Sequence, residues 1–118
     1  MQPARLDLTH LNLDVRDLDV SERFYRDVLE LPVERSGSKL IAREPGFLIV
    51  LNSGEPVMGG TFHFGFRLDS PAEVDAWFAR VRDLATVVRE PNAANGVYVG
   101  RISDPDGYAI EIYADLGM

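Results

Sequence analysis

Histidine occurs only twice in this chain, and the two copies, His10 and His63, fall into register when the sequence is laid over itself at an offset of 53 residues. In that alignment HLNLDVRDLDVSERFYRDV lies over HFGFRLDSPAEVDAWFARV, with apolar residues coinciding at Leu11/Phe64, Leu13/Phe66, Val15/Leu68, Phe24/Trp77, Tyr25/Phe78 and Val28/Val81. Near the far end Glu111 alternates with Ile110 and Ile112. Two neutral imidazoles and one carboxylate make three ligands of borderline hardness, and the open coordination positions they leave suit a catalytic divalent ion: Fe, Mn, Ni, Zn or Co. Each residue also has an ordinary reading, a solvated strand histidine or the wet side of an antiparallel strand. The coincidence of both histidines in the repeat favours the metal site.

Other groups narrow the chemistry. There is no cysteine, which removes disulfides, thiolate ligands and thiol nucleophiles. The single lysine, Lys39, sits in the turn-like run Ser36-Gly37-Ser38-Lys39, a poor place for a desolvated amine. Proton transfer would then fall to metal-bound hydroxide or to a tyrosine: Tyr113, two residues from Glu111, or Tyr98 if its side chain faces the same way. Asn12, Val50 and Tyr113 are expected to wall the pocket. Asp14 and Arg67 are repeat-equivalent, four residues beyond the histidines and so ~13 Å along their strands, too far for ligands. Arg67 is either half of a charge pair at the sheet rim or a clamp for a substrate carboxylate.

The elements that must position these groups follow from periodicity. Leu11, Leu13 and Val15, and again Phe62, Phe64, Phe66 and Leu68, alternate as half-buried strands do. A helix follows each. Ser70-Pro71-Ala72-Glu73 reads as N-cap, first-turn proline and capping-box glutamate before Val74, Trp77, Phe78 and Val81. Asp17 or Asp19 caps the earlier helix, whose stripe is Val20, Phe24, Tyr25 and Val28. Three strands are expected after each helix: 31–35, 39–43 and 47–52, then 86–89, 97–103 and 108–113, the last two joined by a type I turn at Asp104-Pro105-Asp106-Gly107. The fold class is thus α+β, two tandem βαβββ modules in one domain, at about 7–53 and 61–115 with a linker at about 54–60.

Composition bounds the rest. At 118 residues and 46% apolar, the chain has the size and make-up of one globular domain rather than a two-domain enzyme. Its net charge of −7 opposes nucleic acid as a partner. The opening MQPARLDLTH has no signal-peptide core, and no apolar run nears the ~20 residues a spanning helix needs, so the expected location is cytoplasmic with no membrane partner. Apolar runs such as Phe47-Leu48-Ile49-Val50-Leu51 leave more surface than two helices can cover, which predicts a homodimer.

The strand THLNLDVRDLD with helix SERFYRDVLELP, the strand FHFGFRLD and the hairpin DPDGYAIEIY resemble the vicinal oxygen chelate superfamily of glyoxalases, bleomycin-resistance proteins and extradiol dioxygenases, over nearly the whole chain. The resemblance implies a metal held by His10, His63 and Glu111 in a cup formed by paired βαβββ modules. It implies a lyase, isomerase or dioxygenase-type enzyme whose small substrate chelates the metal. Glyoxalase I adds a glutamate on the fourth strand, where this chain has Val50. Extradiol dioxygenases use a further histidine, and fosfomycin thiol transferases have phosphonate-binding cations and a potassium loop not matched in this sequence. The alternative is a bleomycin-resistance-like dimer that sequesters a drug without catalysis, which the acidity would suit. The substrate, the metal, and whether a site is built within one chain or across a dimer are left open by the sequence.

Overall fold

The computed structural model describes residues 4–117, in two compact units, Met1–Val57 and Met58–Met118. Each unit is a four-stranded mixed sheet with its helical segment against one face, the βαβββ pattern expected of each module.

The first unit contains β1 (His10–Val15), α1 (Leu18–Arg23), β2 (Val33–Ser36), β3 (Lys39–Glu44) and β4 (Phe47–Ser53), in sheet order β1-β4-β3-β2. β1 runs parallel to β4, with His10 opposite Leu48 and Asn12 opposite Val50; the other pairs are antiparallel. Asp17 is the cap of α1, its carboxylate accepting from the amides of Asp19 and Val20, and Asp19 instead binds Arg35. The helix expected to run on through Val28 changes to a π-helical segment at Phe24–Val28, where the Leu29 amide reaches back to the Phe24 carbonyl. That wider turn seats Phe24, Tyr25 and Val28 together in the core with Val15, Leu40, Ile49 and Leu51.

The second unit contains β5 (His63–Arg67), α2 (Pro71–Val81), β6 (Thr86–Ala94), β7 (Val97–Ser103) and β8 (Ala109–Asp115), in order β5-β8-β7-β6. Ser70 caps α2 as its sequence predicts, accepting from the Glu73 amide with Pro71 in the first turn. Val74, Phe78 and Val81 of that helix are fully buried with Ile102 and Ile110. Phe62, by contrast, lies outside β5 and is half-exposed; it meets Tyr108 edge-on.

Two hairpins set the register that matters for the site. Asp104 is buried and its Oδ1 accepts from the amides of Asp106, Gly107 and Tyr108, so the β7–β8 turn is closed by a side chain as well as by the Gly107 amide to Asp104 carbonyl bond. Arg101 consequently stands opposite Glu111, and Glu111 opposite Gly65. At the β6–β7 turn Asn95 and Gly96 both have positive φ, 51° and 83°, as a two-residue type I′ hairpin requires. β6 is five residues longer than the expected 86–89. It passes through Pro91 because it is an edge strand and its register shifts between Val87 and Asn92 release the proline from the ladder.

Candidate functional site

Because the helices cover one face of each sheet, the alternating residues on the other face are the ones free to do chemistry. In the second unit that face presents His63, Gly65 and Arg67 on β5, Glu111 and Tyr113 on β8, and Val97, Val99 and Arg101 on β7. An open pocket of about 440 Å³ lies there, lined by His63, Phe64, Gly65, Val99, Glu111 and Tyr113 among others.

Hydrogen bonding fixes the state of its central pair. His63 Nδ1 is 2.7 Å from the Thr61 carbonyl, which can only accept, so Nδ1 carries the proton. In a neutral ring Nε2 is then a bare acceptor, and it lies 3.5 Å from Glu111 Oε1, which is another acceptor. Two lone pairs that face each other need a positive charge between them: a proton on Nε2, or a cation shared by the two side chains. Glu111 Oε2 takes a 2.7 Å bond from Arg101. Gly65 lets β5 lie close against β8 at this row, since a Cβ there would stand 3.1 Å from the Glu111 backbone carbonyl oxygen and 3.3 Å from its Cβ. A borderline nitrogen and oxygen donor facing each other at the edge of an open pocket fit a divalent ion.

The first unit holds the remaining predicted residues. His10 is exposed at the start of β1, its Nδ1 3.0 Å from Thr9 Oγ1, and lines a second open pocket of about 430 Å³ with Arg43, Phe47 and Leu48. Asn12 accepts from Asn52 at 3.3 Å, and Val50, its partner across the ladder, is half-buried on the same face. Among the described residues, no three histidine, aspartate or glutamate side chains are gathered for a cation; of the expected set the structure brings together His63 and Glu111.

Two other predicted residues are placed differently from each other. Arg67 stands opposite Tyr113 with its guanidinium 3.5 Å from Asp115 and both side chains exposed, the geometry of a rim charge pair. Tyr98 is on the wrong face for the pocket. Its hydroxyl donates to Asp75 of α2 at 2.6 Å, because Tyr98 alternates with the pocket-lining Val97 and Val99. That bond, with burial and the Asp75 charge, raises the phenol above its ordinary range. Arg101 was not singled out by the sequence, although counting back from the Asp104–Gly107 turn puts it opposite Glu111.

Paired βαβββ units, each with a chemistry-bearing sheet face, define a glyoxalase-type fold. The profile of the Glyoxalase/Bleomycin resistance protein/Dioxygenase superfamily matches residues 7–112, and the chain belongs to that superfamily. Among solved structures it is similar to a lactoylglutathione lyase from Agrobacterium tumefaciens, at 27% identity over 97% of this chain and 96% of that one, with a TM-score of 0.77. The fosfomycin resistance protein FosX from Listeria monocytogenes superposes with a TM-score of 0.81 at 23% identity over 94% of each chain. An enzyme of the same family from Burkholderia phytofirmans gives 0.81 at 21% over 94% of this chain and 100% of that one. At those last two identities the likeness is one of fold alone. No helix among the described residues is long and apolar enough to cross a membrane.

Proposed function

We propose that this protein is a divalent-metal-dependent enzyme acting on a small oxygen-bearing molecule, with His63 and Glu111 as ligands and His10 as the third. The observation that carries this reading is the confrontation of His63 Nε2 with Glu111 Oε1, two acceptors that a cation would satisfy together. When bound, the ion supplies Lewis acidity toward the substrate's oxygen atoms. The chain's own residues do the rest. The Thr61 carbonyl holds the imidazole in the tautomer that points Nε2 into the pocket. Val97 and Val99 give the pocket apolar walls that orient a small substrate. Tyr113, on the same face as Glu111 and two residues away, is the hydroxyl available to move a proton, a role Tyr98 cannot share while it is bound to Asp75. The protein works as a homodimer, a reading supported by Leu6 and Leu8, which are 94% and 83% exposed ahead of β1.

Calorimetric titration of chelator-stripped protein with Zn(II), Mn(II), Ni(II) and Co(II) tests the reading. One ion per chain is expected, lost in His63→Ala and Glu111→Ala, with binding weakening as pH falls into the range where imidazole protonates. Full metal occupancy in His63→Ala would refute the ligand assignment, and tight bleomycin binding by a chain that takes no metal would establish the drug-sequestering alternative instead.

A further inference from the structure

Among the ion pairs of the described residues, Arg101–Glu111 stands out for what the arginine leaves undone. Arg101 spends one terminal nitrogen on Glu111 Oε2 at 2.7 Å, while its Nε is buried with no hydrogen-bond partner. A guanidinium seated for its own sake would satisfy that donor. Both side chains are about three-tenths exposed, against more than six-tenths for Arg67 and Asp115 on the same face. The pair is also in direct register across β7 and β8, with Gly65 completing the row on β5. Glu111 is thereby held through Oε2, and its other oxygen is the one that faces Nε2.

We propose that Arg101 is a positioning residue for the metal-binding carboxylate: by occupying Oε2 it makes Glu111 a one-oxygen ligand and holds Oε1 toward His63. This rests on the metal-binding reading above. Arg101 itself touches neither metal nor substrate; it acts through Glu111. A carboxylate so restrained would contribute a single oxygen to the ion, keep further coordination positions open, and lose no side-chain freedom when the ion arrives.

Charge gives the test a sign. If Arg101 were only a neighbouring positive charge, its removal would strengthen the binding of a dication; if it positions Glu111, removal weakens binding. Chelator-stripped protein and its Arg101→Met and Arg101→Lys variants are titrated with Zn(II) by calorimetry, and the visible spectrum of each is taken with Co(II). Arg101→Met is expected to bind Zn(II) about tenfold or more weakly, as loss of a residue that orients a metal ligand does elsewhere. Its Co(II) spectrum should differ from the parent's, because the freed second oxygen enters the ligand set. Arg101→Lys, which restores the charge and one donor, should recover part of the affinity. Titrating each variant at matched folded fraction by circular dichroism separates this from loss of structure, and if Arg101→Met does not fold, the Lys variant and an Arg101→Gln variant carry the comparison. Unchanged or tighter Zn(II) binding by a folded variant overturns the positioning role while leaving the metal site standing. Failure of the unmodified chain to bind any of these ions overturns the metal reading and this role with it.

Discussion

Replacing Gly100 by alanine should destabilise the second unit through a single contact. Gly100 is buried on β7, facing α2, and a Cβ at that position would stand 2.5, 2.8 and 3.1 Å from the Cζ, Cε2 and Cε1 of Phe78. Ordinary carbon contacts lie at about 3.5–4.0 Å, so the ring would have to retreat by about 1 Å. It has nowhere to go, being fully buried on α2. Overpacking of this kind costs about 1–3 kcal/mol. The lower chain entropy of unfolded alanine offsets about 0.4–1 kcal/mol of that. The net loss is then about 1–2 kcal/mol, or a fall in Tm of about 5–10 °C for a chain of this size. Thermal and urea unfolding of chelator-treated protein would measure it without any contribution from bound metal. A double-mutant cycle adds the decisive arm: shortening the ring in Phe78→Leu removes the colliding atoms, so Gly100→Ala should cost about 1 kcal/mol less in that background. A Tm within about 1 °C of the parent, or strict additivity with Phe78→Leu, would refute the argument that Gly100 exists to let the helix ring lie against the strand.

The glycine on the opposite face should behave in the reverse way. Gly65→Ala meets the Glu111 backbone carbonyl at 3.1 Å and its Cβ at 3.3 Å, so β8 must give by a few tenths of an ångström beside the carboxylate; stability should change little while metal affinity measured by calorimetry falls, and unchanged affinity would mean that Gly65 does not set the placement of Glu111. Tyr98 gives an alkaline signature: the Asp75 bond, burial and the Asp75 charge raise its folded-state pKa above the unfolded value of ~10, so its contribution is fully present below that pH and lost as pH rises through the folded value. Melting curves should therefore show a steeper loss of stability above pH ~10 in the parent than in Tyr98→Phe, and parallel curves would count against the tether.

Much of this arrangement was readable from residue order because it depends on short-range rules. The Ser70 cap and the Asp104–Gly107 turn are local motifs, and the structure realises both. Strand faces follow from a period of two, so Glu111 and Tyr113 share the pocket face as alternation requires. What escaped is what depends on neighbours distant in sequence. The partner of Tyr98 sits on α2, 23 residues away, and nothing in VYVGRIS announces it. The continuation of β6 through Pro91 depends on the strand lying at an edge, which is a property of the sheet. The π-helical Phe24–Val28 shares its apolar spacing with an α-helix, and only the packing of Phe24 and Tyr25 in the core distinguishes them.

The two units also differ where their backbones agree. In the first, the row across β1, β4 and β3 reads Asn12, Val50 and Ile41; in the second, the corresponding row across β5, β8 and β7 reads Gly65, Glu111 and Arg101. The duplicated fold therefore does not demand a carboxylate at this position, since valine serves equally well in the first sheet. Nor does it demand histidine at 10 and 63, both of which are exposed at strand starts where packing sets no requirement. Yet the chain's only two histidines stand at these equivalent places, and one of them faces a carboxylate whose other oxygen is bonded to Arg101. Burial cannot account for that selection, and ordinary solvation would be met as well by serine or threonine. The property that histidine adds at an exposed strand start is a neutral nitrogen able to take a cation, and it is on this selection, as well as on the facing of His63 and Glu111, that the proposed metal reading rests.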